Sequence, residues 1–374
     1  METLESNLNI DLNESIYMDF NIEEAVFFDI ETTGFTPKNT LLYLIGCIYY
    51  DSSDCTFHTM QWFMEEVTDE PLMIIDFFNF ISNYKYLVHY NGNGFDIPYI
   101  EKKCLLYNIN YDFSNIISFD IYKKILPYKN IFNLENIKQK SVEKFLGFER
   151  IDKYAGSDLI TVFYEYLKKK SPDYKEVLAF SKEFLIRHNY DDLLGLIKIL
   201  PILNYTSVFN RLFELTSVTI KNDINGAPTD VTIRCKTNYP ALTRISFGNN
   251  TYFFVWENNF ISMTIPIYSG GLKFFYPNYK DYYYLPKEDC SIHKSVAFYV
   301  DKNYRTKANA ANCYSKKTGR FLPQINEIVK PYFKIDYNDK ITYFELTQEV
   351  LDTPDLIIEY FFDTITKLVP GNKK

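Results

Sequence analysis

Three separated segments carry side chains whose types and spacing suit hydrolytic chemistry. In Phe27-Phe28-Asp29-Ile30-Glu31-Thr32-Thr33-Gly34, two acids stand two residues apart. Residues i and i+2 of an extended strand project from one face, so Asp29 and Glu31 present their carboxylates side by side. Their neighbours are apolar, so at least one charge must be neutralised, and oxygen donors suit Mg²⁺ or Mn²⁺. Asp96 closes the run His89-Tyr90-Asn91-Gly92-Asn93-Gly94-Phe95-Asp96, where a strand leaves through a Gly-containing turn into a helix. A carboxylate there caps the helix or holds a metal. His188 and Asp192, four apart in a long helical stretch, fall about 40° from each other on the helical wheel and share a face.

These residues need a scaffold, and the first half of the chain alternates strand-like and helix-like patterns. Val26–Ile30, Leu41–Tyr50 and Thr56–Phe63 read as a meander of three strands. Asp69-Glu70-Pro71 opens a helix with a capping carboxylate and a first-turn proline, its apolar face running Leu72, Ile75, Phe78 and Ile81. Tyr86–Tyr90 reads as a buried strand and Ile97–Tyr107 as a second helix. Asp120 ends a further strand as a helix cap, and helices are expected over 140–146, 158–169 and 173–203. The order β-β-β-α-β-α, then more helices, indicates an α/β domain with a mixed sheet.

Asp-x-Glu-Thr-Thr-Gly, then Asn-Gly-x-x-Phe-Asp, then a proton-handling residue four before an Asp, resembles the three motifs of the DEDD (DnaQ-like) 3′–5′ exonuclease superfamily. That superfamily has the ribonuclease H-like fold. The second motif and the 134–148 stretch most resemble its YprB-like branch, and the resemblance spans roughly residues 22–204. It implies a 3′–5′ exonuclease in which Asp29, Glu31, Asp96 and Asp192 bind two divalent cations, Mg²⁺ or Mn²⁺, roughly 3.5–4 Å apart. It implies that His188 orients or deprotonates the attacking water, a job for a group titrating near neutrality. The superfamily usually places a histidine five residues before the last Asp and a tyrosine four before it; this chain has histidine at the tyrosine spacing. Tyr190 lies about 200° round the helix from Asp192 and cannot substitute. The family pattern further implies that backbone amides of Thr32, Thr33 and Gly34 meet a terminal nucleotide, and that Asn91 and Phe95 bind and wedge its base. His58, His89 and His293 read as structural.

The 374 residues suggest two domains: a tail over 1–21, the ribonuclease H-like domain over 22–204, and a β-rich α+β domain over 205–374. With 13 Gly and 15 Pro, collagen-like and disordered readings fail. No run is expected to reach the roughly 18 apolar residues of a membrane helix. The acidic start does not read as a signal peptide. Six cysteines without a C-x-x-C pair read as reduced thiols of a cytoplasmic protein.

Net charge is −8, divided as −12 over residues 1–204 and +4 over 205–374. An acidic half beside a basic one suits an enzyme that holds cations and grips a polyanion. The second half is strand-like at 218–220, 231–235, 243–247, 252–256 and 261–267, with an Asn-Tyr-Pro turn near 238–240 and helices over 292–300 and 354–368. Within 301–320, Lys302, Arg305, Lys307, Lys316, Lys317 and Arg320 interleave with Tyr304, Tyr314 and Phe321, near the ring triplets 274–276 and 282–284. Cations of this kind bind phosphates and rings stack on bases. The expected partner is thus nucleic acid, DNA or RNA, most naturally a single-stranded 3′ end. The alternatives are an endonuclease, or a non-catalytic nucleic-acid-binding protein on the same fold.

Overall fold

The computed structural model describes all residues except 9, 11, 13, 14, 150–155, 169–174 and 370–374. It divides into two compact units, Met1–Thr206 and Ser207–Lys374.

The first unit is built on a six-stranded mixed sheet. Its strands are β1 (Glu2–Leu8), β2 (Ala25–Thr32), β3 (Leu42–Asp51), β4 (Thr56–Phe63), β5 (Tyr86–His89) and β6 (Ile117–Asp120), in the spatial order β1-β4-β3-β2-β5-β6. β1 through β2 in that order pair antiparallel, and β5 and β6 join parallel. The segment read as a tail therefore supplies an edge strand, Glu2–Leu8, in full register with β4. The helices are α1 (Glu70–Ile81), α2 (Asp96–Tyr107), the short α3 (Ile121–Ile125) and α4 (Lys129–Phe132), α5 (Gln139–Phe145), α6 (Gly156–Lys168) and α7 (Lys175–Lys198). The predicted helix ends at Lys169 and Asp173 lie outside the described residues.

Two details of α1 differ from the sequence reading. Met73, Ile74, Phe77, Phe78 and Ile81 face the core while Leu72 is exposed, because the helix buries a stripe one residue round from the predicted one. Asp69 does not cap α1: its carboxylate accepts the amides of Glu65 and Glu66, closing the preceding 3-10 turn. Glu70 takes the buried position instead, accepting from the Leu42 amide and pairing with Lys103 Nζ at 2.7 Å. Asp120 ends β6 and caps α3, as expected.

The stretch Glu176–Asn210 is long and apolar enough to qualify as a membrane span by length and composition, contrary to expectation. Most of its apolar window, 83%, is buried within the protein. α7 ends at Lys198 and a 3-10 segment, Leu200–Asn210, follows. A core helix meets the same compositional test as a membrane helix because both are surrounded by apolar groups.

The second unit is β-rich. β7 (Phe213–Asn222), β8 (Pro228–Gly248) and β9 (Phe253–Pro266) form an antiparallel sheet. Four predicted short strands merge into β8 and β9, and the Asn-Tyr-Pro sequence is a register irregularity inside β8, not a turn. β10 (Tyr268–Phe275), β14 (Tyr314–Gln324), β15 (Tyr332–Phe333) and β16 (Thr342–Glu345) form a second sheet, while β11 (Tyr282–Leu285), β12 (Cys290–His293) and β13 (Thr306–Lys307) form a third. The helix expected over 292–300 shrinks to α8 (Lys294–Ala297), since β12 claims the residues before it. The helices α9 (Gln348–Leu351) and α10 (Pro354–Leu368) end the chain, α10 as predicted. All six cysteines are free thiols.

Candidate active site

Asp29 and Glu31 lie on the same face of β2, near its end, with Asp29 opposite Gly46 of β3. β2 pairs with β5 only up to Phe27, so at Asp29 and Glu31 the strand is held by β3 alone and its other edge is open beyond the end of β5. Between Glu31 and Thr32 the β2–β3 register slips by a residue. Tyr43 sits at that slip; its hydroxyl donates to Glu31 Oε2 at 3.4 Å while its ring stacks on Phe163 of α6.

Helix α7 packs on β2 and β3 and brings the third segment to the same place. His188 Nε2 lies 3.8 Å from Glu31 Oε1 and 3.4 Å from Asp192 Oδ2. Donor atoms of Glu31, His188 and Asp192 all lie within 4.8 Å of one another. Asn189, fully buried, reaches across: its Nδ2 donates to Asp29 Oδ2 at 3.0 Å and its Oδ1 accepts from Gln61 Nε2 at 2.9 Å. Gly46 makes this approach feasible, since a Cβ there would stand 1.9 Å from Asn189 Oδ1 and 2.7 Å from Leu193 Cδ1. Gln139 of α5 donates to the Asp192 carbonyl at 2.8 Å and so ties α5 to the last acid.

Asp96 is the first residue of α2. The turn before it depends on His89. The Gly92 amide donates to His89 Nδ1 at 3.0 Å, so Nε2 carries the proton and donates to Ser118 Oγ at 2.8 Å. A Cβ on Gly92 would stand 2.7 Å from that same ring nitrogen. Burial holds the His89 imidazole down at about 4, which keeps it neutral. Asn91, in a left-handed conformation at φ 61°, donates its amide to Asp120 Oδ1. His89 is thus structural, as read; so is His293, which caps α8. His58 bonds Asp54 at 2.9 Å and falls within 4.8 Å of Asp51 and Asp54 donor atoms, a grouping its sequence spacing did not suggest.

The electrostatics tie the four acids together. Burial pushes Asp29 well above the usual carboxylate range, and the charges of Asp192, Glu31 and Asp96 push the same way, against the Asn189 hydrogen bond. Glu31 is raised likewise by burial, Asp192 and Asp96, with Tyr43 and Lys140 opposing. Asp96 rises to about 7, chiefly through burial, while hydrogen bonds from the backbone at Asp96 and Ile30 pull it down. An all-oxygen cluster whose members resist ionising in each other's company fits divalent cations.

Beside Asp29 and Asp192 opens a cavity of about 910 Å³, walled by residues 126–140 together with Tyr90, Asn91 and Tyr122. Lys129, Lys138 and Lys140 and the amides of Asn130, Asn133 and Asn136 line it. These residues went unnoticed in the sequence, although three lysines and three asparagines within twelve positions were a readable signal. Phe35 was missed too: it is 87% exposed, with its ring 5.8 Å from that of Phe95. Thr32 Oγ1 donates to the Gly34 carbonyl. The Thr33 amide, expected to face a nucleotide, is instead committed to the Leu41 carbonyl at 2.9 Å, closing the loop.

In the second unit, Lys316 pairs with Asp289 and Lys317 with Glu345. Arg305 donates to the Ala297 carbonyl and covers the Tyr283 ring. Lys302 lies in a 3-10 turn, Lys307 on β13, and Arg320 is exposed on β14. Tyr314 and Phe321, expected to stack on bases, are buried, Phe321 in the cluster with Leu272 and Phe333.

Residues 26–204 match the family model described as RNase_H superfamily, and this stretch is a ribonuclease H superfamily domain. No curated protein matches the chain. Among solved structures, the family B DNA polymerase of the archaeon Pyrobaculum calidifontis is similar at 18% identity and TM-score 0.36, over 50% of this chain and 24% of that one. E. coli Exonuclease I in complex with a dA16 oligonucleotide is similar at 12% identity and TM-score 0.26, over 56% of this chain and 54% of that one. The chain therefore spans about a quarter of the polymerase and just over half of the exonuclease.

Proposed function

We propose that this chain is a metal-dependent 3′–5′ exonuclease acting on single-stranded DNA or RNA. The observation that carries the reading is His188 Nε2 set between Glu31 of β2 and Asp192 of α7, with Asp29 and Asp192 at the edge of an open cavity; the charge of Asp96 acts on Asp29 and Glu31 and supports its inclusion. Two divalent cations, Mg²⁺ or Mn²⁺, held by those four carboxylates would supply a nucleophile at neutral pH and charge neutralisation at the phosphodiester.

The chain's own groups have distinct parts. Asp29 is held in one rotamer by Asn189, and Glu31 by Tyr43. His188, fixed by the helix between Glu31 and Asp192, takes or holds a proton at Nε2 and orients the attacking water. Asn91 and Phe95 bind the terminal base, and Thr32 and Gly34 shape the loop beside it. Lysines of the 129–140 wall meet the phosphates.

Asp29→Ala or Asp192→Ala should abolish Mn²⁺-dependent digestion of an end-labelled oligonucleotide while the circular dichroism spectrum persists. Undiminished activity in either variant ends the reading. Stepwise loss from the 3′ end supports it, whereas internal cuts make the chain an endonuclease and binding without products makes it a non-catalytic binder.

A further inference from the structure

The turn that follows α8 and the 3-10 turn Lys302–Tyr304 carry rings that neither the core of the second unit nor the cleavage chemistry uses. Phe298 is 78% exposed, Tyr299 87% and Tyr304 51%. Their backbone is well anchored. Ala297 is fully buried, the Tyr299 amide bonds the Val296 carbonyl, and Arg305 donates to the Ala297 carbonyl while covering Tyr283 of β11. Arg305 follows Tyr304 directly, so its bond to Ala297 brings the Tyr304 backbone close to the turn bearing Phe298 and Tyr299, while Lys287 Nζ sits 4.6 Å from the Tyr304 ring centre. Side chains of this size on a fixed backbone, turned to solvent, have surface available for a partner.

The surrounding charge narrows the partner. Residues 280–320 contain nine Lys or Arg against four Asp or Glu, in a chain of net charge −8. Three of those acids are engaged: Asp281 with Lys294, Asp289 with Lys316, and Asp301 with the Asn303 amide. The two ion pairs also use cations, and Lys317 pairs with Glu345, but the segment keeps an excess of cations over acids and so a positive formal charge. An apolar protein surface gains nothing from it, while a single strand with exposed base faces and a phosphate backbone matches both features.

We propose that Phe298, Tyr299 and Tyr304 form a stacking platform for single-stranded nucleic acid, with Lys302 and Lys307 meeting its phosphates. The platform rests on the nucleic-acid part of the proposed function, not on cleavage. Its specificity is for unpaired bases of any type, because every base offers a π face.

The test uses the full chain in EDTA, so that binding is read without digestion. Fluorescence anisotropy follows a labelled oligothymidylate and an abasic strand of equal length. Both rings are exposed, so the double variant Phe298→Ala/Tyr299→Ala should fold normally. It should bind oligothymidylate roughly tenfold or more weakly, and the abasic strand as the wild type does. The double change to Trp should keep wild-type affinity. Unchanged oligothymidylate binding by the alanine variant overturns the platform. An equal loss on the abasic strand overturns it too, since no stacking would then be involved. So does a loss of self-association in sedimentation without any change in DNA affinity, which would make the rings a contact between copies. A chain that binds as described yet never digests DNA sinks the nuclease reading and leaves the platform standing.

Discussion

Asn189 Nδ2 donates to Asp29 Oδ2 across 3.0 Å, linking helix α7 directly to the central strand of the sheet. The bond opposes the upward push that burial and three neighbouring acids exert on Asp29. It also belongs to a relay, since Gln61 holds Asn189 from the other side. In the proposed nuclease Asn189 is thus a positioning residue. Asn189→Ala should cost about 1–3 kcal/mol of stability, since the bonds to Gln61 and Asp29 are lost and Gln61 Nε2 keeps only the Ile186 carbonyl. It should also lower turnover with little change in KM, and a denaturation curve and steady-state kinetics in Mn²⁺ measure the two effects separately.

The close passage of α7 over β3 makes Gly46 sensitive. A methyl there would drive into the Asn189 amide and Leu193. Gly46→Ala should destabilise by about 1–3 kcal/mol, the range for overpacking, and lower activity along with it. Adding Asn189→Ala to Gly46→Ala should recover part of the stability, because the worst contact goes. A double-mutant cycle showing simple additivity would contradict the packing described.

Cation binding should appear as stability. Asp29, Glu31 and Asp96 have folded-state values raised above their ordinary ones, so the metal-free fold is more stable when they are protonated. That contribution is present at low pH and fades as pH rises from 3.8 through about 7 for Asp96. Mn²⁺ should therefore raise Tm more at about pH 8 than at about pH 5, and saturation at a hundredfold over Kd corresponds to about 2.7 kcal/mol. Asp29→Asn with Asp192→Asn should raise Tm in EDTA and erase the Mn²⁺ response.

His89 carries the opposite pH dependence. Its imidazole falls from 6.5 to about 4 through burial, and its Nδ1 must stay unprotonated to accept the Gly92 amide. The folded form binds fewer protons here, so the contribution is full above pH 6.5 and is lost as pH falls towards 4, about 3 kcal/mol at most. The hydrogen-exchange protection factors of residues 91–95, taken against the intrinsic rate at each pH, should fall over that window. A turn equally protected at both ends of it would refute the assignment.

The pair Glu70–Lys103 is nearly inaccessible on both sides, and Lys103 also donates to the Thr40 carbonyl at the end of the loop after Gly34. Lys103→Met leaves the Glu70 carboxylate buried beside the Leu42 amide without its cation. The expected cost is about 3–5 kcal/mol, read by urea unfolding, and Glu70→Gln in the same chain should restore much of it.

The acids of the site were legible because strand and helix periods decide locally which side chains share a face. Asp29 with Glu31, and His188 with Asp192, needed only a period of two and a period of 3.6. The order of strands and helices was legible for the same reason, and it carried the fold class. Face and cap details failed where a distant group intervened. Leu72 lost its place in the α1 stripe to Met73 because the sheet, not the helix, chose the rotation. Asp69 bonded backwards because Glu70 had found Lys103 and Leu42. Helix 292–300 shrank because β11 offered its neighbours a ladder. In the second unit, basic and aromatic composition did not tell which rings are buried and which face solvent. Phe321 and Tyr314 went inside through the β10–β14 pairing between residues far apart in the chain, while Phe298 and Tyr299 stayed out on the turn that follows α8. Local sequence sets which groups can stand together on one element. Which elements meet, and therefore which amide steadies which acid, is set by packing between distant segments, 160 residues apart at Asn189 and Asp29.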